Sequence, residues 1–152
     1  MPARTDRTPH RSNQNACFGC GEANPDGMRL KFRAVADAAP GTVEGRLRIP
    51  KRFTGAPRML HGGIVATILD EAMSKVNAHL GVTAVTTRLD VSYRRPVPPT
   101  VPITVRGRRS AKRGRHVYNV AEILDQDGQL LATGRGRFYL LPREVVQRMG
   151  VR

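Results

Sequence analysis

Residues 61–81 read HGGIVATILDEAMSKVNAHLG, the one long helical signal in the chain. Ile64, Ile68, Ala72, Val76 and Leu80 recur at i, i+4, with Val65, Leu69 and Met73 alongside, so the segment carries a wide apolar stripe. Thr67, Asp70, Ser74 and Asn77 fall on the opposite side in this reading, and Gly81 supplies a C-terminal stop.

Strand signals flank this helix on both sides. In MRLKFRAV (28–35), Met28, Leu30 and Phe32 alternate with Arg29, Lys31 and Arg33, a period of two that marks a half-buried strand. GTVEGRLRI (41–49) repeats the alternation through Val43, Leu47 and Ile49, with ADAAPG as the intervening turn. KRFTGAPRML (51–60) has no regular period. After the helix come AVTTRLDVSYRRP (84–96), VPITVRGRRSA (101–111), RHVYNVAEIL (115–124) and QLLATGRGRFYLL (129–141), the last two joined by Asp125-Gln126-Asp127-Gly128, a strong turn signal. Two strands, one helix, then four strands predict an α+β layer in which a strongly curved antiparallel sheet wraps the helix. One domain over 15–142 accounts for the pattern, with a polar, basic, disordered arm at 1–14 and a tail or short helix at 143–152.

Bulk properties narrow the function classes. The formal charge of +14 favours phosphate-bearing partners, whether nucleic acid, anionic membrane surfaces or small molecules. No stretch approaches the roughly 18 apolar residues of a membrane helix, and MPARTDRTPHRSNQN lacks the apolar run of a secretory signal, which predicts a cytoplasmic protein that does not enter membranes. Cys17 and Cys20 form a CxxC within CFGCG, but no second CxxC or HxxxH completes a zinc set, and His10, His61, His79 and His116 are scattered. The pair is read as part of a tight N-terminal turn, with no metal and no cofactor.

Two features of the helix carry chemistry. At its start, His61-Gly62-Gly63 offers backbone N–H groups without internal partners, at the electropositive end of the dipole and without Cβ atoms to block a ligand. A developing oxyanion fits there. Within the apolar run lies Asp70, a carboxylate in poorly solvated surroundings suited to act as nucleophile or as base towards water. Glu71 is about 100° away around the helix, so both acids cannot aim at one atom. The polar neighbours Thr67, Ser74 and Asn77 favour Asp70. Asp70 is seven residues beyond Gly63, about 10 Å along the axis, a gap its side chain cannot close within one chain.

The run LHGGIVATILDEAM (60–73), followed by TTRLDVSYRRPVP (86–98), resembles the acyl-CoA thioesterases of the hotdog superfamily, in the phenylacetate-degradation-type and hydroxybenzoyl-CoA-thioesterase-related group. The matching positions are His61, Asp70 nine residues later, Thr86, and Tyr93 with Arg95-Pro96. CFGCGEANPDGMRL (17–30) is similar to the start of one branch of that group. The resemblance implies a hotdog fold and a thioester hydrolase whose active site lies at the interface of a homodimer, alone or within a pair of dimers. It implies Asp70 as nucleophile or general base, Gly62 and Gly63 as carbonyl-polarising donors, His61 as support for that loop, and Thr86 as the group orienting water or Asp70. Relatives often carry an amide side chain shortly before HGG; this chain reads Phe53-Thr54-Gly55-Ala56-Pro57, with Thr54 as the candidate substitute.

Between Val91 and Ala121 there is no acidic residue, and the stretch is rich in arginine and lysine. Coenzyme A bears a pyrophosphate and a 3′-phosphate, and Arg94, Arg95, Lys112, Arg113 and Arg115 are candidates to bind them. Phe53, Met59, Met73 and Val76 are candidates to line an acyl pocket. Two alternatives use the same features: an acyl-CoA-binding protein without turnover, and a basic nucleic-acid binder. The scarcity of aromatics and the lack of any helix-turn-helix, RNP-like or GXXG pattern count against the second.

Overall fold

The computed structural model describes residues 15–150; the expected arm at 1–14 and the last two residues lie outside them. The chain runs β1 (Arg33–Ala34), β2 (Val43–Leu47), a 3-10 turn (Lys51–Phe53), α1 (Gly62–His79), β3 (Ala84–Tyr93), β4 (Ile103–Arg113), β5 (His116–Leu124), β6 (Leu130–Leu140) and α2 (Arg143–Met149). The six strands form one antiparallel sheet in the order β1-β2-β4-β5-β6-β3, leaving β1 and β3 as its edges. Helix α1 packs on one face of the sheet, against β2 through β6. This is the hotdog arrangement that the family resemblance implies.

The apolar stripe of α1 meets the sheet as its periodicity requires. Val65, Ile68, Leu69, Ala72, Met73 and Val76 are buried, and they share one cluster with Val105, Val117, Ile123, Ala132 and Phe138, apart from Val76, which is buried outside it. The helix comes so close to β4 that a Cβ on Gly107 would lie 3.0 Å from the Ala72 carbonyl oxygen, so only glycine fits there without displacing backbone. Removing these side chains from water is the main driving force of the fold.

Three expectations need correction. The first strand is far shorter than 28–35, because Arg29 takes a left-handed conformation (φ 52°) and the backbone N–H groups of Met28 and Leu30 donate to Phe18 and Gly19 instead of to a sheet neighbour. Met28 and Leu30 are nevertheless buried, so the alternation marks burial and not a ladder. Asn77 is not on the polar side of α1 but is 2% exposed. Its Oδ1 accepts from Arg109 Nη2 (3.0 Å) and Asn119 Nδ2 (2.8 Å), while Asn119 Nδ2 also donates to the Met73 carbonyl (2.9 Å) and its Oδ1 accepts from Arg109 Nε (2.8 Å). Buried polar groups persist when they are bonded to one another. Finally, Met73 and Val76 lie fully buried in the helix–sheet core.

Asn119→Ala leaves Arg109 Nε without its acceptor and takes away one of the two donors to Asn77 Oδ1. It is expected to cost about 1–3 kcal/mol, read as a lower urea midpoint with unchanged slope. A wild-type midpoint would mean that this network contributes nothing to stability.

Candidate active site

The entrance to α1 is built by its own first residues. His61 is the N-cap, at φ −57° and ψ 139°, and its Nδ1 accepts from the Gly63 N–H at 2.9 Å. An accepting Nδ1 puts the proton of the neutral ring on Nε2. The N–H groups of Ile64 and Val65 both donate to the His61 carbonyl. Of the two glycine donors expected to face a ligand, Gly63 is therefore engaged by the cap, whereas the Gly62 N–H has no protein acceptor among the described residues. Tyr93, at the end of β3, donates from its hydroxyl to the Gly62 carbonyl at 2.7 Å. This ties the helix start to the edge strand, a role for which the sequence carried no signal beyond the Tyr93 position itself.

Asp70 lies two turns into the helix, half-buried at its β3 side. Its Oδ1 accepts from Thr86 Oγ1 at 2.8 Å. Thr86 sits where the β3–β6 register shifts, between Thr86 and Arg88, and such an irregularity re-aims a side chain. Burial holds the Asp70 carboxyl above its ordinary range; the Thr86 hydrogen bond opposes that push and the Glu71 charge adds to it. Glu71 points away, 3.4 Å from Lys75 Nζ.

The predicted binding residues separate into groups. Met59, Gly62, Arg94 and Arg95 line one groove together with Val65 and Tyr93. Backbone N–H groups of Arg94 and Arg95 both donate to the Leu131 carbonyl, which fixes their turn against β6. Phe53 is a core residue, 8% exposed, with Phe18 edge-on at 6.1 Å and the Arg52 guanidinium 4.8 Å from its ring centre. The Thr54 hydroxyl donates to the Lys51 carbonyl at 2.6 Å and caps the 3-10 turn. Lys112, Arg113 and Arg115 lie at the β4–β5 hairpin. Arg115 borders a groove with Gly81 and Val82 at the far end of α1, about 27 Å of helix from Gly62. Within one chain they do not join the other site residues.

The thioesterase superfamily model matches residues 58–132, the span that holds the helix entrance, Asp70, Thr86 and the Arg94-Arg95 turn. That stretch belongs to the thioesterase superfamily. Among curated proteins it is similar to the uncharacterized mitochondrial membrane protein FMP10 of Saccharomyces cerevisiae, 25% identical over 108 residues (68% of this chain, 44% of the relative). It is also similar to the acyl-coenzyme A thioesterase THEM4 of Xenopus laevis, 28% identical over 79 residues (52% and 36%). The chain thus spans less than half the length of these relatives. Among solved structures, a thioesterase superfamily protein aligns at TM-score 0.70 and 28% identity, covering 76% of this chain and 58% of the other. A hypothetical thioesterase from Streptococcus pneumoniae, crystallised with coenzyme A, aligns at TM-score 0.67 and 16% identity, covering 74% and 85%. That protein has also been solved as an Asp-to-Ala and a Thr-to-Ala variant, at positions 16 residues apart. No described helix of the present chain is long and apolar enough to cross a membrane.

A carboxyl that is harder to ionise in the folded chain than in the unfolded one contributes stability while protonated and loses it as pH rises through the folded pKa. Near neutral pH, ionised Asp70 therefore opposes folding. Asp70→Asn is expected to raise Tm there, and the gain should vanish below the ordinary carboxylate pKa. A Tm that falls near neutral pH would contradict the burial of the charge.

Proposed function

We propose that the chain is an acyl-CoA thioesterase that hydrolyses a CoA thioester to free acid and coenzyme A, at a site shared by two copies. The observation that carries this reading is the Asp70–Thr86 pair: a desolvated carboxylate held at 2.8 Å by a hydroxyl from the neighbouring strand, within the stretch that belongs to the thioesterase superfamily. Asp70 and Thr86 are 16 residues apart in sequence, the separation of the two positions altered in the Streptococcus pneumoniae relative.

In this mechanism the Gly62 N–H, at the positive end of α1, donates to the thioester oxygen as negative charge develops there. Asp70 either takes a proton from water, whose oxygen attacks the carbonyl carbon, or attacks that carbon itself and is released by water in a second step. The C–S bond breaks, the thiolate leaves and is protonated, and one water is consumed overall. No cofactor is required. Arg94 and Arg95 pair with CoA phosphates, and the apolar side chains of Met59, Val65 and Val97 receive the acyl group.

The sharing of the site follows from reach. Asp70 and Gly62 are separated by roughly 12 Å of helix rise, more than a carboxylate spans, so the acid meeting a carbonyl at one helix entrance comes from another copy. β3 is the natural seam. It is an edge strand of ten residues, mostly exposed, with Val85 42% and Tyr93 55% accessible, and an edge of that length invites pairing. A second copy added there covers the side of α1 that carries Asp70.

A panel of aryl, short-chain and medium-chain acyl-CoAs tests the activity. The wild type is expected to turn over at least one class and Asp70→Ala none; tight binding of every class without turnover would replace hydrolysis by sensing. Gly62→Pro tests the oxyanion donor with little disturbance. Proline is favoured at the first helical position, His61 already has the extended conformation that precedes proline, and a Cβ at Gly62 meets nothing closer than 3.5 Å. The loss of one donor should lower kcat about 10²- to 10³-fold, and a near-normal kcat would remove Gly62 from the mechanism. Thr86→Val deletes the hydrogen bond that favours ionised Asp70, so the acid limb of the kcat–pH profile should move to higher pH. An unmoved limb would separate Asp70 ionisation from turnover.

A further inference from the structure

The N-terminal segment and the acid that the thioester chemistry leaves aside come together on the flank of α1 away from Asp70. Ligand atoms of Cys17, Cys20 and Glu71 all lie within 4.8 Å of one another. Lys75 Nζ is 3.4 Å from Glu71, and Asn15 Nδ2 donates to Cys20 Sγ at 3.6 Å. The approach is close: a Cβ on Gly19, inside the CxxC, would fall 2.5 Å from Glu71 Oε2, so glycine at that position lets the carboxylate reach the cysteines. The turn itself is closed by the Gly21 N–H donating to the Cys17 carbonyl at 2.8 Å.

From this juxtaposition we propose that Cys17, Cys20 and Glu71 bind a zinc(II) ion that pins residues 15–30 to helix α1. Tetrahedral zinc, with Zn–S about 2.3 Å and Zn–O about 2.0–2.2 Å, keeps its ligand atoms roughly 3.5–3.8 Å apart. The observed spread closes to that with side-chain shifts of about 1 Å. Two thiolates with carboxylates or imidazoles are a ligand set that suits zinc, and water completes the fourth position. Both thiols give their protons to solvent on binding. Two thiolates, one carboxylate, a divalent ion and the Lys75 ammonium then sum to zero charge, so the partly buried group carries no unpaired charge. The Asn15 amide supplies the hydrogen bond to a ligand sulfur that metal thiolates commonly receive from their surroundings.

The pinned segment matters to the helix entrance. Phe18 packs edge-on against Phe53, Arg52 Nη2 donates to the Gly27 carbonyl at 2.9 Å, and the His61 N–H donates to the Phe53 carbonyl at 3.0 Å. A zinc-held N-terminal segment therefore braces the 51–61 loop that delivers His61-Gly62-Gly63. The second CxxC that zinc sequence motifs usually carry is replaced by one carboxylate 51 positions after Cys20, which explains why the sequence reads as a bare turn.

The test uses the full chain without a histidine tag, purified under reducing conditions, and needs no activity. Elemental analysis is expected to find about one zinc per chain, and the metal-free protein titrated with cobalt(II) should develop thiolate-to-cobalt charge-transfer bands together with the visible bands of a tetrahedral site. Glu71→Gln should keep the charge-transfer bands but weaken zinc binding by at least about 10-fold, whereas the Cys17→Ser, Cys20→Ser double variant should lose the bands. The proposal is overturned if the wild type holds no zinc and gives no thiolate band with cobalt, if Glu71→Gln binds zinc as tightly as the wild type, or if the two cysteines are found joined as a disulfide in the reduced preparation.

Discussion

How far helix α1 is rotated about its own axis decides nearly everything else in this chain. At about 100° per residue, burying Val65, Ile68, Leu69, Ala72, Met73 and Val76 against the sheet leaves one orientation. It sends Asp70 and Glu71 to opposite flanks of the buried stripe. Asp70 goes to the β3 side, where Thr86 meets it; Glu71 goes to the side covered by the N-terminal segment, beside Lys75, Cys17 and Cys20. Two consecutive carboxylates thereby acquire different surroundings. No separate device is needed to keep them apart, because the rotation of about 100° that would bring Glu71 towards Thr86 would lift Ile68 out of the core and turn Asp70 into it.

The same rotation sets the electrostatics. Asp70 is close enough to the core edge to lose much of its hydration, and its main compensation within the chain is a single hydroxyl. A carboxylate in that state is a better base than one in water, at some expense of stability. The entrance to α1 is held firmly: His61 caps it, Tyr93 anchors the Gly62 carbonyl, and the 53–61 loop is bonded back through Phe53. The donor that remains open is thus presented by a rigid frame, as electrostatic stabilisation of a transition state requires.

Much of this was legible in the sequence because two periodicities, 3.6 and 2, are set by burial alone. The helix at 61–81 and the long strands come from that source; the Asp125–Gly128 turn was marked by its turn residues, and Asp70 was preferred to Glu71 on its polar neighbours and its nine-residue offset from His61. What was not legible depended on contacts between distant residues. Asn77 looks like a solvent-facing residue until Arg109 and Asn119, from β4 and β5, arrive to donate to its side-chain oxygen. The 28–35 alternation cannot reveal that Phe18 and Gly19 take the hydrogen bonds a sheet neighbour would have made. Phe53 and Thr54 look available for substrate only while their partners, Phe18 and the Lys51 carbonyl, are unknown. Basic residues at 112–115 are near the motif in sequence count and remote from it along the helix.

The central claim is that Asp70 of one copy serves the helix entrance of another, and subunit complementation tests it most directly. Asp70→Ala chains, inactive in isolation, and Gly62→Pro chains, slowed about 10²- to 10³-fold, would be co-expressed, and the mixed dimer purified through different tags. The account predicts that the mixed dimer regains thioesterase activity, since one of its two sites unites an intact Asp70 with an intact Gly62. A mixed dimer no more active than its parents would contradict the account and would mean that each chain assembles its site from its own residues.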